Sequence, residues 1–214
     1  MKMQWYGHSC FLLTSSDGVR ILTDPCAPTT GYRLENIEAD AVTSSHAHYD
    51  HNFFAAAAGS PEAISTPGEH TVRGVTITGI PTFHDDAAGK ERGPNIVYAI
   101  EMDGLRIVHL GDLGHQPDAA ACAAIGAPDV LLVPVGGTYT LDAAGACAVV
   151  ALLKPRIVIP MHYQTAALTF SLDPVEPFLT GLSGRTIHRL QQSECTITRE
   201  TLGTPRVLVL DYRK

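Results

Sequence analysis

A chain of 214 residues, 45% of them hydrophobic and 17% charged, can bury a full core and is neither disordered nor a fibrous repeat. Its 15 Lys and Arg against 22 Asp and Glu give a formal net charge of -7, so it lacks the basic surplus with which proteins bind phosphate backbones. No apolar run approaches the roughly 18 residues of a membrane span, and the first residues lack the apolar segment of a signal peptide. We therefore expect a cytoplasmic protein with no nucleic-acid and no membrane partner.

The first predicted elements form an antiparallel meander. Hydrophobic patterning predicts strands over residues 3–6, 10–14 and 19–23, with a turn at Asp17-Gly18 between the last two. Asp24-Pro25 ends the third strand, because proline cannot donate a hydrogen bond to a neighbouring strand.

A second copy of this arrangement begins at residue 96. Strands over residues 96–102 and 105–110 flank a turn at Asp103-Gly104, and the second of them ends at Gly111-Asp112. The repeated order of strand, Asp-Gly turn and strand ending in Asp predicts an internal duplication.

The duplication extends to the next strand of each copy, over residues 39–43 and 127–133. We therefore predict one domain, residues 1–214, made of two half-repeats of about residues 1–95 and 96–214. Residues 196–198 and 207–210 are predicted as closing edge strands.

Helices are predicted over residues 52–58, 117–125 and 142–153 from their alanine-rich patterning and their end signals. The strands over residues 130–133 and 157–159 are almost continuously apolar, which is typical of a sheet that is covered on both faces. Together these features predict an α+β protein in which helices cover two sheets.

The segment that carries the chemistry is Ser44-Ser45-His46-Ala47-His48-Tyr49-Asp50-His51, directly after a predicted strand. His46 and His48 alternate in an extended segment, so their rings point the same way and can reach one cation. Asp50 and His51 follow where the chain turns and can face a second cation. Imidazole and carboxylate ligands favour zinc, with manganese and iron as alternatives.

This H-x-H-x-D-H loop resembles the signature of the metallo-β-lactamase superfamily. The resemblance implies that superfamily's fold, a four-layer αββα sandwich of two mixed β-sheets flanked by helices and internally duplicated. More narrowly, the chain is similar to the small stand-alone metal-dependent hydrolases related to ascorbate-6-phosphate lactonase. The segments that carry the resemblance are residues 6–9, 22–25, 46–51, 82–84, 109–112, 133–137 and 159–163.

The resemblance assigns seven residues as ligands of two divalent metal ions. It places His46, His48 and His84 on the first ion and Asp50, His51 and His162 on the second, and Asp112 would bridge the two. Independently of it, Asp112 and His162 each follow an apolar strand, where loops gather and ligands are usually presented.

Four further residues are weaker candidates for contact with the ligands or the substrate. His8 lies in a Gly-His-Ser segment that matches the family, and Asp24 is a candidate to orient a ligand imidazole. Tyr139, after Gly136-Gly137, and Tyr163 could each offer a hydroxyl to a substrate oxygen. His109 is predicted to be buried and hydrogen-bonded rather than a ligand.

The predicted function is that of a metal-dependent hydrolase in which hydroxide held between two ions attacks an ester, lactone, amide or phosphoester bond. Asp50 would orient this hydroxide and then protonate the leaving group. The partner is a small-molecule substrate, and the resemblance favours an anionic one, for which Arg73, Lys90 and Arg92 are the nearest candidate cations. A di-iron oxidoreductase and a non-catalytic metal-binding protein remain as alternatives, and a homo-oligomer is left open.

Overall fold

The computed structural model describes residues 1–214, in which 16 strands and three α-helices follow one another along the chain. In the first part, the strands are β1 (Lys2–Gly7), β2 (Cys10–Thr14), β3 (Arg20–Thr23), β4 (Ile37–Glu38), β5 (Ala41–Thr43), β6 (Ala57–Ala58), β7 (Glu62–Ile64), β8 (Gly68–Val72) and β9 (Val75–Phe83). They are followed by β10 (Pro94–Met102), β11 (Leu105–His109), β12 (Val130–Pro134), β13 (Ile157–Met161), β14 (Thr186–Arg189), β15 (Glu194–Thr196) and β16 (Arg206–Val209). The helices are α1 (Ala119–Ile125), α2 (Ala143–Leu153) and α3 (Glu176–Gly181).

The strands form two mixed sheets. A six-stranded sheet has the order β15-β1-β2-β3-β5-β7, and an eight-stranded sheet has the order β14-β16-β13-β12-β11-β10-β9-β8. In the first sheet, β2 and β3 are antiparallel and β3 is parallel to β5. In the second, β10 and β11 are antiparallel and β11 is parallel to β12. The two sheets therefore repeat one arrangement, as the duplicated sequence pattern predicts.

The two half-repeats exchange strands between the sheets. The first contributes β8 and β9 to the eight-stranded sheet, and the second contributes β15 to the six-stranded sheet. The predicted boundary at residues 95 and 96 falls inside β10.

The main core lies between the two sheets, because alternate residues of each strand point to opposite faces. In the first sheet, Trp5, Phe11 and Ile21 face this core, together with the buried side chains of the second sheet. Their neighbours Cys10 and Leu22 face a smaller apolar cluster on the outer side of the first sheet. Strands β12 and β13 are buried at every residue, which confirms the prediction of a sheet covered on both faces.

Two predicted helices are confirmed, and the third is wrong. Asp118 and Asp142 cap α1 and α2 by accepting hydrogen bonds from backbone N–H groups three residues on. Residues 52–58 instead form one 3-10 turn, Phe54–Ala56, followed by β6, which pairs with β4. Residues 57 and 58 pair with β4 in the folded chain, and this tertiary contact overrides the helical propensity of the alanine-rich segment.

Because residues 52–58 do not form a helix, the first half-repeat has no α-helix to cover the first sheet. All three α-helices follow residue 118, and the outer face of the six-stranded sheet is covered by loop residues such as Tyr32, Leu34 and Leu168. None of the helices has the length and apolar character that crossing a membrane requires.

The prediction for the closing strands holds at one edge of the fold. β15 lies at the edge of the first sheet beside β1, two residues earlier than expected. β16 lies inside the second sheet between β13 and β14, so the prediction that residues 207–210 form an edge is wrong. The exposed β14, which the sequence did not reveal, is the edge strand instead.

Candidate metal centre

The candidate ligands come together because the strands that precede them end on the same side of the sandwich. The loop of His46 to His51 follows β5, and His84 directly follows β9. Asp112 follows β11 after two residues, and His162 directly follows β13. His8 directly follows β1 and lies on the same side. Parallel strands present their carboxyl ends at one edge, which is why distant parts of the sequence meet here.

Six of the seven predicted ligands form two adjacent groups. The donor atoms of His46, His48 and His84 lie within 4.8 Å of one another. A second group, with the same spacing, contains Asp50, His51 and His162, and also His8. The structure thus brings together the three residues that the resemblance assigns to each ion alone.

Asp112 lies between the two groups. Its Oδ2 is 3.2 Å from Nε2 of His84 in the first group and 3.9 Å from Nε2 of His46. The same oxygen is 3.1 Å from Nε2 of His51 and 3.2 Å from Nε2 of His162 in the second group. A carboxylate that faces four imidazole nitrogens from both groups is placed as a bridging ligand would be.

Several buried polar atoms at this point have no hydrogen-bond partner. They include Nε2 of His51, Nε2 of His162 and Oδ1 of Asp112. Buried polar atoms are nearly always satisfied, and each one left without a partner costs about 1–3 kcal/mol. Because these atoms are metal-ligand types and converge on the two groups, the residues fit a pair of divalent cations.

The electrostatics of the first group favour the neutral imidazole, which is the form that binds a metal. Burial, reinforced by the nearby His51, lowers the pKa of His46 to about 3. Burial also lowers the pKa of His48. Both rings therefore offer a free lone pair at neutral pH without first losing a proton.

Asp112 and His51 each stabilise the charged form of the other, in contrast to the neutral imidazoles of the first group. Burial opposes ionisation of Asp112, but the neighbouring His162 and His51 hold the pKa of its carboxyl well below the ordinary value. Burial disfavours the charged form of His51, yet Asp112 and then Asp24 raise the pKa of that imidazole well above its ordinary value. A cation at this position would therefore displace a proton from His51.

Asp24, which the sequence predicts to orient a ligand imidazole, is hydrogen-bonded to His51. The buried carboxylate accepts a hydrogen bond from His51 Nδ1 at 2.9 Å and from the backbone N–H of Ser45 at 2.8 Å, and also from the Ser45 hydroxyl. With Nδ1 donating, the lone pair of His51 lies on Nε2, which faces Asp112.

The neighbourhood of Asp112 is held by residues that bind backbone groups. His109 is buried, donates from Nε2 to the Ser9 carbonyl at 2.8 Å and accepts the Gly111 N–H at Nδ1, so it is hydrogen-bonded as predicted. Asn95, which the sequence did not single out, accepts the N–H of Asp112 at 2.9 Å and donates to the Leu110 carbonyl. A lone Asn inside a strand carries no sequence signal for this role.

The backbone is left-handed at three of the residues that present side chains to the centre. The φ angles are 51° at His8, 39° at Asp24 and 51° at His162. Such conformations cost non-glycine residues on the order of 1–3 kcal/mol and concentrate at functional sites. Gly111, before Asp112, has φ of 56°, and a Cβ there would lie 2.6 Å from the Ser45 Cβ, so only glycine fits.

His8 is in direct contact with two of the predicted ligands, Asp50 and His162. Its Nε2 donates to Asp50 Oδ2 at 3.2 Å, and its ring lies 4.1 Å from that of His162. Burial, followed by the charge of His162, lowers the pKa of His8 to about 3, so the ring is neutral. A neutral ring with the proton on Nε2 can hold the Asp50 carboxylate in place.

A cavity of about 480 Å³ opens beside the two groups. Tyr139, a predicted substrate contact, lines it and is 39% exposed. Tyr163 does not line it: this ring is buried in the main core against Trp5, with ring centroids 5.4 Å apart, which corrects its assignment to the substrate. The lining residues are Ala47, His48, Tyr49, Asp50, His84, Arg92, Asp112, Tyr139 and Phe170.

Of the three basic residues that the sequence offers as contacts for an anionic substrate, only one lines this cavity. Arg73 pairs with Asp40 at 2.7 Å, beside a different pocket, and Lys90 does not line the cavity beside the ligands. Only Arg92 does so. Tyr49 and Phe170 line it as well. Neither could be singled out from the sequence, because a single aromatic residue in a loop has no distinctive pattern.

Residues 2–162 of the chain match the family model of the beta-lactamase superfamily domain. The chain belongs to this superfamily. Among the relatives of this superfamily member, the UPF0173 metal-dependent hydrolase of Thermococcus kodakarensis is 33% identical over 193 residues, covering 77% of this chain and 85% of the relative. A metal-dependent hydrolase of Archaeoglobus fulgidus is 32% identical over 200 residues, covering 78% and 85%.

Solved structures confirm the predicted metallo-β-lactamase fold. The crystal structure of a candidate Zn-dependent hydrolase of the metallo-β-lactamase superfamily from Thermotoga maritima is 39% identical, with a TM-score of 0.81 over 99% of each chain. A metallo hydrolase from Ignicoccus hospitalis is 24% identical and covers 100% of this chain and 96% of its own, with a TM-score of 0.70. The second likeness concerns the fold alone.

Proposed function

We propose that this chain is a hydrolase that holds two divalent metal ions and cleaves an ester, lactone, amide or phosphoester bond of a small-molecule substrate. One observation carries the proposal: the Asp112 carboxylate faces imidazole nitrogens of both ligand groups. The relatives in Thermococcus kodakarensis and Archaeoglobus fulgidus are metal-dependent hydrolases, and that broader class is the part of the proposal that rests on family membership.

In this proposal, His46, His48 and His84 hold the first ion and Asp50, His51 and His162 hold the second. Asp112 binds both. The ligand chemistry favours zinc, with manganese and iron as alternatives. When bound, two such ions supply an activated water as the nucleophile and polarise the oxygen of the bond that is attacked.

Asp50 moves the proton in the proposed reaction. Its carboxylate lines the cavity, and only 13% of its side chain is exposed. Burial opposes ionisation, but the hydrogen bond from His8 and the nearby His51 hold the pKa of Asp50 below its ordinary value, so it is a carboxylate at neutral pH. A carboxylate in this place can accept the proton of the attacking water and pass it to the leaving oxygen or nitrogen.

The test compares Asp50→Asn and Asp50→Ala with the wild-type protein on three probes: 4-nitrophenyl acetate, a δ-lactone and bis(4-nitrophenyl) phosphate. General acid–base catalysis is worth about 10²–10⁴-fold, so we expect kcat to fall by that factor on every probe that the wild type cleaves. Asp86→Asn serves as the matched control, because Asp86 is exposed and does not line the cavity. Full turnover by the Asp50 variants would show that Asp50 does not transfer the proton.

Metal analysis of the same preparations separates loss of chemistry from loss of an ion. A protein that holds two irons and oxidises its substrate would support the oxidoreductase alternative. A protein that holds metal and cleaves none of a wide set of esters, lactones, amides and phosphoesters would support the non-catalytic one.

A further inference from the structure

Arg92 presents an unpaired positive charge to the cavity beside the metal centre. Its guanidinium lies 5.0 Å from the centroid of the Tyr139 ring, and its one hydrogen bond is a long contact of 3.4 Å from Nη2 to the Thr138 carbonyl. Arginine has five N–H donors in a planar fork that matches carboxylate and phosphate groups, and most of those of Arg92 are free.

Five of the ten other arginines of the chain form salt bridges with acidic side chains. Arg73 pairs with Asp40 at 2.7 Å, and Arg199 pairs with Asp129 at 3.2 Å. No carboxylate lies within salt-bridge distance of Arg92, although the chain has more acidic than basic residues. The position of Arg92 therefore leaves its charge available to a ligand in the cavity.

The segment that carries Arg92 is built around one carboxylate. Asp85 accepts hydrogen bonds from the backbone N–H groups of Ala87 at 2.9 Å, Gly89 at 2.8 Å, Glu91 at 3.1 Å and Arg92 at 2.8 Å. Asp85 directly follows His84 in the chain. This loop therefore fixes the backbone of Arg92 relative to a candidate metal ligand, His84.

The charges of the cavity favour an anion there. Two divalent ions would bring four positive charges against the two negative charges of Asp50 and Asp112, and Arg92 adds one more positive charge. The loaded site is thus cationic within a chain of formal charge -7, and a cleft of one sign concentrates ligands of the other. Tyr139 and Phe170 give the same cavity an apolar wall.

We propose that Arg92 binds an anionic group of the substrate, a carboxylate or a phosphate, that is separate from the bond being cleaved. Tyr139 and Phe170 would pack against the part of the substrate between that group and the bond. This inference rests on the proposed hydrolase function and narrows the substrate class to small anionic esters, lactones, amides or phosphoesters.

The test uses two substrates of similar length, neutral 4-nitrophenyl valerate and anionic mono(4-nitrophenyl) glutarate, with the metal-loaded protein. A hydrogen bond to a charged group is worth roughly ten- to a hundredfold in binding, so we expect Arg92→Ala to raise KM for the glutarate ester by that factor. KM for the valerate ester should change less than about twofold. Arg92→Lys, which keeps the charge and loses the fork, should fall between the wild type and Arg92→Ala.

Lys90→Ala is the matched control. It removes one positive charge from the same loop, at a residue that does not line the cavity, so both KM values should stay at the wild-type level. An equal change for both esters in Arg92→Ala, an equal loss in Lys90→Ala, or a wild type with no preference for the glutarate ester would overturn the inference.

A binding measurement keeps the inference testable if neither ester is cleaved, which would count against the proposed function. Glutarate and, separately, inorganic phosphate are titrated into the metal-loaded wild type and Arg92→Ala by calorimetry. We expect the Kd of at least one anion to be about tenfold or more weaker in the variant. Equal Kd values for both anions would show that Arg92 binds neither.

Discussion

Asp24 and Asp112 occupy corresponding places in the two half-repeats and differ in what surrounds them. Each follows the second strand of an antiparallel hairpin, and each of those strands pairs in parallel with the next one, β3 with β5 and β11 with β12. Both side chains are buried. Asp24 accepts three hydrogen bonds, from Ser45 N–H, the Ser45 hydroxyl and His51, whereas Oδ1 of Asp112 accepts none.

The difference shows that the supply of donors, and not the place in the repeat, decides what a buried carboxylate can do. Asp24 directly follows β3, where Ser45 of the neighbouring loop satisfies it. Asp112 lies two residues further beyond β11, where no group donates to its Oδ1 and its Oδ2 faces the imidazole nitrogens of both ligand groups. Asp50 is intermediate, with one donor from His8. A saturated carboxylate can orient a ligand, and an unsaturated one can be a ligand.

The largest effect is expected for Asp112→Asn. The amide cannot bridge two cations, so we expect the variant to hold at most about one ion per chain, and catalysis by the pair of ions, worth several kcal/mol, to be lost. This corresponds to a fall in kcat/KM of about three orders of magnitude. Elemental analysis and steady-state kinetics on one preparation check both expectations. A variant that keeps two ions would show that Asp112, like Asp24, is not a ligand of both ions.

A smaller effect with a different signature is expected for Asp24→Asn. The metal-free protein should lose about 2–4 kcal/mol of unfolding free energy, because hydrogen bonds from Ser45 and His51 to a buried charge are weakened or lost. Metal affinity or activity should fall about 10–100-fold, since His51 is no longer fixed. Urea unfolding and metal titration measure the two effects, with Asp17→Asn, in an exposed turn, as the control.

The next effect concerns the single donor to Asp50. His8→Asn keeps a residue that tolerates the left-handed backbone and is too short to reach the carboxylate, so we expect kcat to fall about tenfold with KM unchanged. Both ions should remain. If the metal content falls to one per chain instead, His8 is itself a ligand and not a residue that positions Asp50.

The smallest effect is expected at the paired Asp-Gly turns of the two hairpins. Asp17 has no hydrogen-bonded partner, whereas Asp103 accepts from the N–H and the hydroxyl of Ser16, each at 2.9 Å, and lies 2.8 Å from the amino group of Met1. Burial opposes ionisation, but the amino group and Ser16 lower the pKa of Asp103 from its ordinary value of 3.8.

A carboxyl with a lowered folded-state pKa stabilises the protein above pH 3.8, and this stabilisation is lost as the pH falls through the folded-state pKa. We expect Asp103→Asn to lower the unfolding free energy at pH 7 by up to about 1 kcal/mol. The difference in unfolding free energy between the variant and the wild type should become smaller as the pH falls below 3.8. Urea unfolding at pH 7 and pH 3 checks this result. A gap that is as large at pH 3 as at pH 7 would show that packing, not charge, is lost.

The sequence predicted the parts of this site that are encoded locally. The alternating histidines of residues 46–51 lie in one loop, and the apolar strands before Asp112 and His162 place those residues at strand ends whatever the rest of the fold does. The helices capped by Asp118 and Asp142 were predictable for the same reason, since cap and helix are adjacent in the chain.

What the sequence could not predict depends on contacts between distant residues. Residues 52–58 favour a helix by composition and pair with β4 instead. Asn95 supports Asp112 only because the fold brings these two residues into contact, and Phe170 lines the cavity only because the fold brings it to the same cavity as Asp112. Tyr163 was a reasonable candidate beside His162, but the next residue along a strand end points to the opposite side, into the core.

In the proposed function, Asp112 bridges two ions. The most direct measurement is elemental analysis, counted per chain, of wild type, Asp112→Asn and Asp24→Asn purified without chelators and then reconstituted with Zn²⁺. We predict about two ions in the wild type, at most about one in Asp112→Asn, and about two in Asp24→Asn at saturating zinc. One ion or none in the wild type after reconstitution, or two in Asp112→Asn, would show that Asp112 does not bridge two ions.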